Sequence, residues 1–269
     1  MKYKNSIKSV AIGSFDGIHI AHQALIEKAE AVVIIERNGG YLTPGYKRSL
    51  YTKKPCYFYH FDKIRHLSPK AFVEKLQQDF PLLEKIVVGY DFVFGKGKSG
   101  DAGHLRAYFR GEVEVVGEIT LDGVSVHSRT IRQYLKEGDV GMAKRLLGRS
   151  YRIDGSVIRG QGIGREKLVP TINLKVIQYQ LLKEGVYATR TYVEGVWRES
   201  VSFLGHRVTT DGSFAVETHI IGEEVSVLEH EPVWIAFENL IRPNQKFDSI
   251  ETLKVQIEQD ILACRRLLK

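Results

Sequence analysis

The stretch "SVAIGSFDGIHIAHQALIEKAEAVVII", Ser9 to Ile35, decides how the first half of the chain is read. A short apolar run, "SVAIG", ends at Gly13. A turn bearing Gly17 follows, then "HQALIEKAEA" with helical spacing, then a second buried-type run, "AVVII". Strand, glycine turn, helix and strand in that order predict a parallel pair joined by a helical crossover. Such a unit collects ligands at the carboxyl end of its first strand, where the free N–H groups and dipole of the next helix attract an anion. Gly13 and Gly17 bracket that turn, so its backbone can approach a phosphate closely, and His19 and His22 stand three residues apart at the helix mouth. Imidazoles placed there can donate to phosphate oxygens as negative charge builds up. Two bland readings stand beside this one. The histidines could be metal ligands, although no nearby cysteine or acidic helix partner completes a zinc set, or ordinary surface residues at an exposed helix start.

The alternation continues outward. "SPKAFVEKLQQDF" offers Ser68 as N-cap, Pro69 in the first turn, and Phe72, Leu76 and Phe80 on one face. "KIVVGYDFVFG" and "EVEVVGEI" read as further strands. After "TIRQYLKEGDVGMAKRLLGRSYRI" helices nearly vanish. "YRIDGSVI", "TINLKVI", "GVYATRTYV", "VWRESVSFL", "FAVETHII" and "VWIAFE" are short β-rich runs that predict a small antiparallel barrel. The chain closes on "SIETLKVQIEQDILACRRLLK", with Ser249 as cap and Ile250, Leu253, Ile257, Ile261 and Leu268 on one face. The expected architecture is therefore an N-terminal α/β parallel-sheet module, residues 1–147, and a small antiparallel β-barrel with a C-terminal helix, residues 148–269.

Charge divides the same way. The chain has 39 Lys and Arg against 32 Asp and Glu, and residues 1–150 carry 24 against 16 of these. A basic half suits a polyphosphate or another anionic ligand; a non-catalytic module binding RNA or an anion is the rival reading. No Lys/Arg block, RNA-binding aromatic signature or zinc-finger spacing favours nucleic acid, so no nucleic-acid partner is expected. No window approaches the roughly 18 apolar residues of a membrane span, and the N-terminus has no signal-like apolar run, so a cytoplasmic protein without a membrane partner is expected. Cys56 and Cys264 have no metal or disulfide spacing, and Cys264 is read as a helix-face residue.

A second glycine-rich stretch, "GSVIRGQGIGREKLVPTINL", Gly155 to Leu174, leads into proline and strand rather than a helix, which rules out a dinucleotide fingerprint. What remains is a loop, with Gly160, Gly162 and Gly164, able to fold its backbone over phosphates, or a plain hairpin connection. Farther on, "FAVETHI" alternates, which alone would make Glu217 a polar residue on an outward strand face.

Three motifs of the first half resemble the FMN adenylyltransferase module of bacterial FAD synthases, which implies a nucleotidyltransferase, Rossmann-like fold for the α/β parallel-sheet module. "GSFDGIHIAHQ" resembles G-x-F-D-G-x-H-x-G-H-Q, "GYDFVFGKGKSGD" at 89–101 resembles G-x-D-F-R-F-G-x-x-R-x-G-D, and "VHSRTIR" at 126–132 falls where the family has I-S-S-T-R-I-R. Ala21 and Val93 depart from these patterns, and "VVIIERNGGYLTP" stands where the family has T-F-x-P-H-P. The second half resembles riboflavin kinases through the G-x-G-R run before Pro170-Thr171-Ile172-Asn173, similar to P-T-A-N, and through "GVYAT", "AVETHII" and "IRPNQKFDSIETLKVQIEQD". Leu168 stands at a usual glycine, and "HRVTTDG" lacks a usual proline.

The resemblance implies a bifunctional enzyme that makes FMN from riboflavin and ATP–Mg²⁺, then FAD from FMN and ATP. It implies His19 and His22 facing the ATP phosphates, and Gly13, Phe15, Asp16, Gly17 and Ser128 at the nucleotide. Arg132 would neutralise charge there and Asp91 would shape the pocket, with Lys98 and Arg129 adding positive charge. In the second half it implies Thr171 and Asn173 on Mg²⁺ and nucleotide, Glu217 as base, and Arg242 at the flavin. A riboflavin kinase with a degenerate N-terminal module remains a rival at this point.

Overall fold

A computed structural model of the chain describes residues 6–37, 41–160, 168–209 and 211–269. Contacts divide the chain into two compact units, Met1–Ser128 and Arg129–Lys269.

The first unit contains β1 (Ser9–Gly13), α1 (Ile20–Glu27), β2 (Ala31–Glu36), β3 (Cys56–His60), α2 (Phe61–Ile64), α3 (Pro69–Asp79), β4 (Lys85–Gly89), α4 (Ala102–Tyr108) and β5 (Glu112–Val116), then a short hairpin of β6 (Thr120–Leu121) and β7 (Val124–Ser125). The five long strands form one parallel sheet in the order β3-β2-β1-β4-β5. Alternation along β1 sends Val10 and Ile12 to one core with Phe72, Val73 and Leu76 of α3 and Leu105 of α4. Ala11 faces a second core with Leu25 and Ile26 of α1. Both faces are thus covered, as near-continuous apolar strands require. Ser68 caps α3 by accepting from the Ala71 amide at 3.2 Å, and Phe72, Leu76 and Phe80 are buried as their spacing predicts.

Two readings change. "KIVVGYDFVFG" is strand only to Gly89; Phe92 N turns back onto Gly89 O at 3.1 Å, and Phe94 leaves the strand line to pack its ring 5.2 Å from that of Phe72. The edge strand β3, "CYFYH", was not anticipated from the sequence pattern.

The second unit begins with α5 (Ser128–Glu137, all but its first residue) and α6 (Val140–Leu147). The compact division thus falls before the expected one at 147/148, because these helices pack with the barrel. Lys183 N donates to Leu135 O at 2.9 Å, and Gly138, at φ +87, sits where a Cβ would press 2.8 Å from Leu240.

Six strands follow: β8 (Tyr151–Ile158), β9 (Ile172–Val176), β10 (Gly185–Val193), β11 (Val196–His206), β12 (Phe214–Ile220) and β13 (Pro232–Pro243). They close an antiparallel barrel in the order β10-β11-β12-β9-β8-β13. Its interior holds Tyr187, Ile153, Ile235 and Phe237, and beside them five buried hydroxyls. Thr189 reaches Ser200 at 2.8 Å and Ser202 at 2.7 Å, Thr191 reaches Ser200 and Thr218 at 2.8 Å, and Ser202 donates to Thr218 at 2.9 Å.

Outside the barrel lies α7 (Ile250–Leu267), started by a capping box between Ser249 and Thr252. It lays Ile261 and Cys264 against Val186, Ala188 and Val201. Leu268 of the predicted face packs there too, while Val255 and Leu262 face outward. Cys264 is fully buried, its thiol donates to Ser200 O at 3.2 Å, and burial pushes its pKa up to about 11. At pH 8 only about one part in a thousand is thiolate. Iodoacetamide should therefore label Cys264 only as fast as the native protein opens, with full labelling in urea, as peptide mass mapping would report.

Candidate functional site

In an open parallel sheet the crevice opens where the strand order reverses, here between the carboxyl ends of β1 and β4. The loop Ser14–His19 follows β1 and the turn carrying Asp91 follows β4. The first loop is strained: Phe15 (φ 49°) and Ile18 (φ 41°) adopt left-handed backbone beside Gly17 (φ 88°). Each such non-glycine residue costs on the order of 1–3 kcal/mol. Full burial of both side chains offsets that cost.

His19 is the N-cap of α1 rather than a first-turn residue. Its Nδ1 accepts from the His22 amide at 3.3 Å, which in the neutral ring places the proton on Nε2. Its ring stacks on that of His22 with centroids 3.5 Å apart, and Phe15 meets His22 edge-on at 5.1 Å. His19 is 3% exposed and His22 half-buried.

Asp16 is buried, and its carboxylate accepts from the amides of Leu42 at 3.2 Å and Thr43 at 3.0 Å, while its carbonyl accepts from Ser128 Oγ at 2.7 Å. Phe15 and Asp16 are thus buried within the loop, and part-buried Ser128 ties the start of α5 to it. Ser128 and Arg132 lie one turn apart on α5, and Arg132 is half-buried within the second unit. Asp91, Lys98 and Arg129 are exposed.

Arg48 is the residue of this unit that sequence reasoning missed. It is 1% exposed, pairs with the Glu36 carboxylate, donates Nε to Thr43 O at 2.9 Å and lies 4.8 Å over the Tyr41 ring. It thereby links Glu36 at the end of β2 to Tyr41 and Thr43. Burial, with Glu36 adding to it, pushes the Tyr41 phenol above its ordinary range.

In the second unit a cavity of about 650 Å³ opens between the barrel's outer face and α7. Thr171, Asn173, Glu217 and Arg242 all line it. Barrel register explains why: Glu217 on β12 pairs with Asn173 on β9 and with Phe203 on β11, so the three stand abreast. Gly160 lines the same cavity, and a Cβ there would meet Asn173 Nδ2 at 2.5 Å. Gly162 and Gly164 lie outside the described residues. His219 Nδ1 donates to Pro170 O at 2.8 Å and so holds the backbone just before Thr171. Thr171 Oγ and Asn173 Oδ1 are hard oxygen donors two residues apart on one wall, a pair that fits Mg²⁺ carried in by a nucleotide.

Arg242 lines the cavity and also makes an ion pair with α7. Its Nε donates to both oxygens of Asp260 at 3.0 Å, Asp260 is 2% exposed, and Gln256 donates to Asp260 at 3.0 Å. The guanidinium thus joins α7 to β13 at the edge of the cavity. Arg207 was missed altogether. Its Nε donates to Glu217 Oε1 at 2.8 Å, and its Nη2 to the same oxygen and to Asn173 Oδ1 at 2.8 Å. No pattern pointed to it, because its partners are 10 and 34 residues away.

A parallel-sheet crevice with a histidine-capped helix, joined in one chain to a barrel whose cavity gathers a carboxylate, an amide and a hydroxyl, defines a two-module nucleotide-dependent transferase. The riboflavin kinase family matches residues 147–268 and the FAD synthetase family residues 52–130. A bifunctional riboflavin kinase/FMN adenylyltransferase of Listeria monocytogenes is 31% identical over 286 aligned residues, covering 94% of this chain and 90% of that protein. One of Pseudomonas fluorescens is 30% identical, covering 95% and 91%. A solved structure described as a macrolide-efflux protein from Streptococcus pneumoniae superposes with a TM-score of 0.85 at 26% identity, covering 97% of this chain and 95% of that one. No helix among the described residues is long and apolar enough to cross a membrane. The chain belongs to the bifunctional riboflavin kinase/FMN adenylyltransferase family, and with both modules matched the bifunctional reading holds over the two rivals.

The Asp16 contacts carry a prediction for the first unit. Asp16→Ala removes a charged acceptor from two buried amides, so it should lower stability to urea by about 3 kcal/mol. It should also speed hydrogen exchange selectively at the Leu42 and Thr43 amides; unchanged exchange there would contradict this role.

Proposed function

We propose that residues 148–269 phosphorylate riboflavin with ATP and that residues 1–147 adenylylate the resulting FMN with a second ATP to give FAD. The observation that carries the kinase half is the placement of Glu217 beside Asn173 on adjacent strands in one cavity of about 650 Å³. Arg207 occupies Glu217 Oε1 and leaves Oε2 to accept the proton of the ribityl 5′-hydroxyl. The 5′-hydroxyl oxygen then attacks the γ-phosphorus as the ADP oxygen departs, a step governed by position and charge. Thr171 and Asn173 would hold the nucleotide's Mg²⁺, which neutralises phosphate charge when bound. Gly160 admits Asn173 to the cavity because it lacks a side chain.

In the first module the FMN phosphate is already an anionic nucleophile, so the protein needs no base. Attack on the α-phosphorus of ATP expels pyrophosphate, and the task is to orient and stabilise charge. His19, with its proton on Nε2, supplies a donor at the start of α1. His22 stacks behind it and fixes the plane of the ring. Asp91 borders the crevice beyond β4.

Purified protein given riboflavin, ATP and Mg²⁺ should yield FMN and FAD on chromatography. Glu217→Gln should lower FMN formation by about 100-fold or more while leaving FMN-to-FAD conversion intact, and His19→Ala should do the reverse. Near-normal rates of both steps in both variants would remove these assignments.

A further inference from the structure

We infer that Arg207 is a positioning residue of the kinase site that exchanges partners: it holds Glu217 throughout, and holds Asn173 only until the metal–nucleotide takes that amide oxygen. The inference rests on the reading of Glu217 as base and of Asn173 as a metal donor.

The guanidinium is fixed on three sides. Nε and Nη2 both reach Glu217 Oε1, Nη2 also reaches Asn173 Oδ1, and Nη1 donates to Ser213 Oγ at 2.8 Å. Ser213 Oγ lies 2.9 Å from both carboxylate oxygens of Asp211. The backbone behind it is pinned as well: Arg207 N donates to Ser213 O at 2.9 Å, and neighbouring His206 is gripped by Glu184 through its amide at 2.9 Å and its ring at 2.7 Å. A side chain only 18% exposed and anchored in this way is a built part of the site rather than a solvated surface cation.

Its two carboxamide and carboxylate partners make unequal demands. Glu217 must keep its orientation for proton transfer, and a fork on a single oxygen secures that without occupying the other. Asn173 Oδ1 cannot serve a guanidinium and a divalent cation together, because the two positive charges would be forced within a few ångströms of each other. The Asn173 contact is therefore the one that breaks.

The structure provides somewhere for the released group to go. A second cavity of about 180 Å³ lies beside Phe214, Ala215 and Val216, and Arg207 and Asn173 line both it and the larger one. A small rotation of the guanidinium toward that chamber frees Oδ1 while Nε stays on Glu217.

The test uses the full chain with Arg207→Gln, Arg207→Lys and Glu217→Gln, measuring Mg²⁺–ADP binding by calorimetry without turnover, and FMN formation separately. Arg207→Gln should bind Mg²⁺–ADP about threefold or more tightly, since nothing competes for Asn173, while kcat falls about 10- to 100-fold with riboflavin KM within about threefold. Arg207→Lys, which keeps the charge and loses the fork, should bind Mg²⁺–ADP as the parent does and remain slow. It carries the test if the glutamine variant fails to fold. A purely structural role would weaken binding and turnover together. Weaker Mg²⁺–ADP binding in Arg207→Gln, or an unchanged kcat, overturns the inference. FMN formation surviving Glu217→Gln overturns the base assignment and this inference with it, whereas an inactive Glu217→Gln beside a fully active Arg207→Gln overturns the inference alone.

Discussion

One aspartate holds the first module's working loop together. Asp16 receives the amides of Leu42 and Thr43 on its carboxylate and the Ser128 hydroxyl on its carbonyl, so three segments far apart in sequence meet at a single residue. That junction supports the left-handed backbone at Phe15 and Ile18 on either side of it, and those residues carry the chain from β1 into the His19 cap. Strain of this kind persists only where surroundings over-determine it. The reward is a histidine pair with a fixed stacking geometry at the crevice, in place of two imidazoles swinging on a free helix end.

The second module reaches the same end by closing a barrel. Register, set by the continuous ladder from β9 through β12 to β11, puts Asn173, Glu217 and Phe203 abreast with no help from loop conformation. Arginines then finish the arrangement. Arg207 on Glu217 and Arg242 on Asp260 are pairs of low exposure, as is Arg48 on Glu36 in the first module. Breaking such a pair leaves an uncompensated charge away from water, which costs about 3–5 kcal/mol when burial is deep. The many lysine–carboxylate contacts at the surface, such as Lys8 with Glu84, are a different matter, each contributing little.

The sequence showed the strands well where their periodicity was strict. Every run of the barrel, from "YRIDGSVI" to "VWIAFE", is a strand, and α3 has the cap and buried face that Ser68, Phe72 and Leu76 foretell. It failed where tertiary packing overrode local pattern: Phe94 abandons the β4 line for an aromatic contact with Phe72, and "CYFYH" pairs only because β2 offers it an edge. The motif residues of the candidate sites were legible because resemblance marked them; what several of them do was not. That Asp16 would accept from Leu42 and Thr43, that Arg242 would pair with Asp260, and that Arg207 would grip Glu217 are all facts of pairing beyond the local sequence. A side chain that acts through a partner ten or more positions away leaves no local spacing to read.

The five hydroxyls inside the barrel have a consequence for how this fold can change over evolutionary time. Thr189, Thr191, Ser200, Ser202 and Thr218 are fully buried and hydrogen-bond to one another in a continuous circuit. Replacing any one by an aliphatic residue strands the remaining dipoles, whereas replacing the group together is nearly neutral. Relatives should accordingly keep the set or exchange it wholesale, and hybrids between the two solutions would be the sequences selection discards.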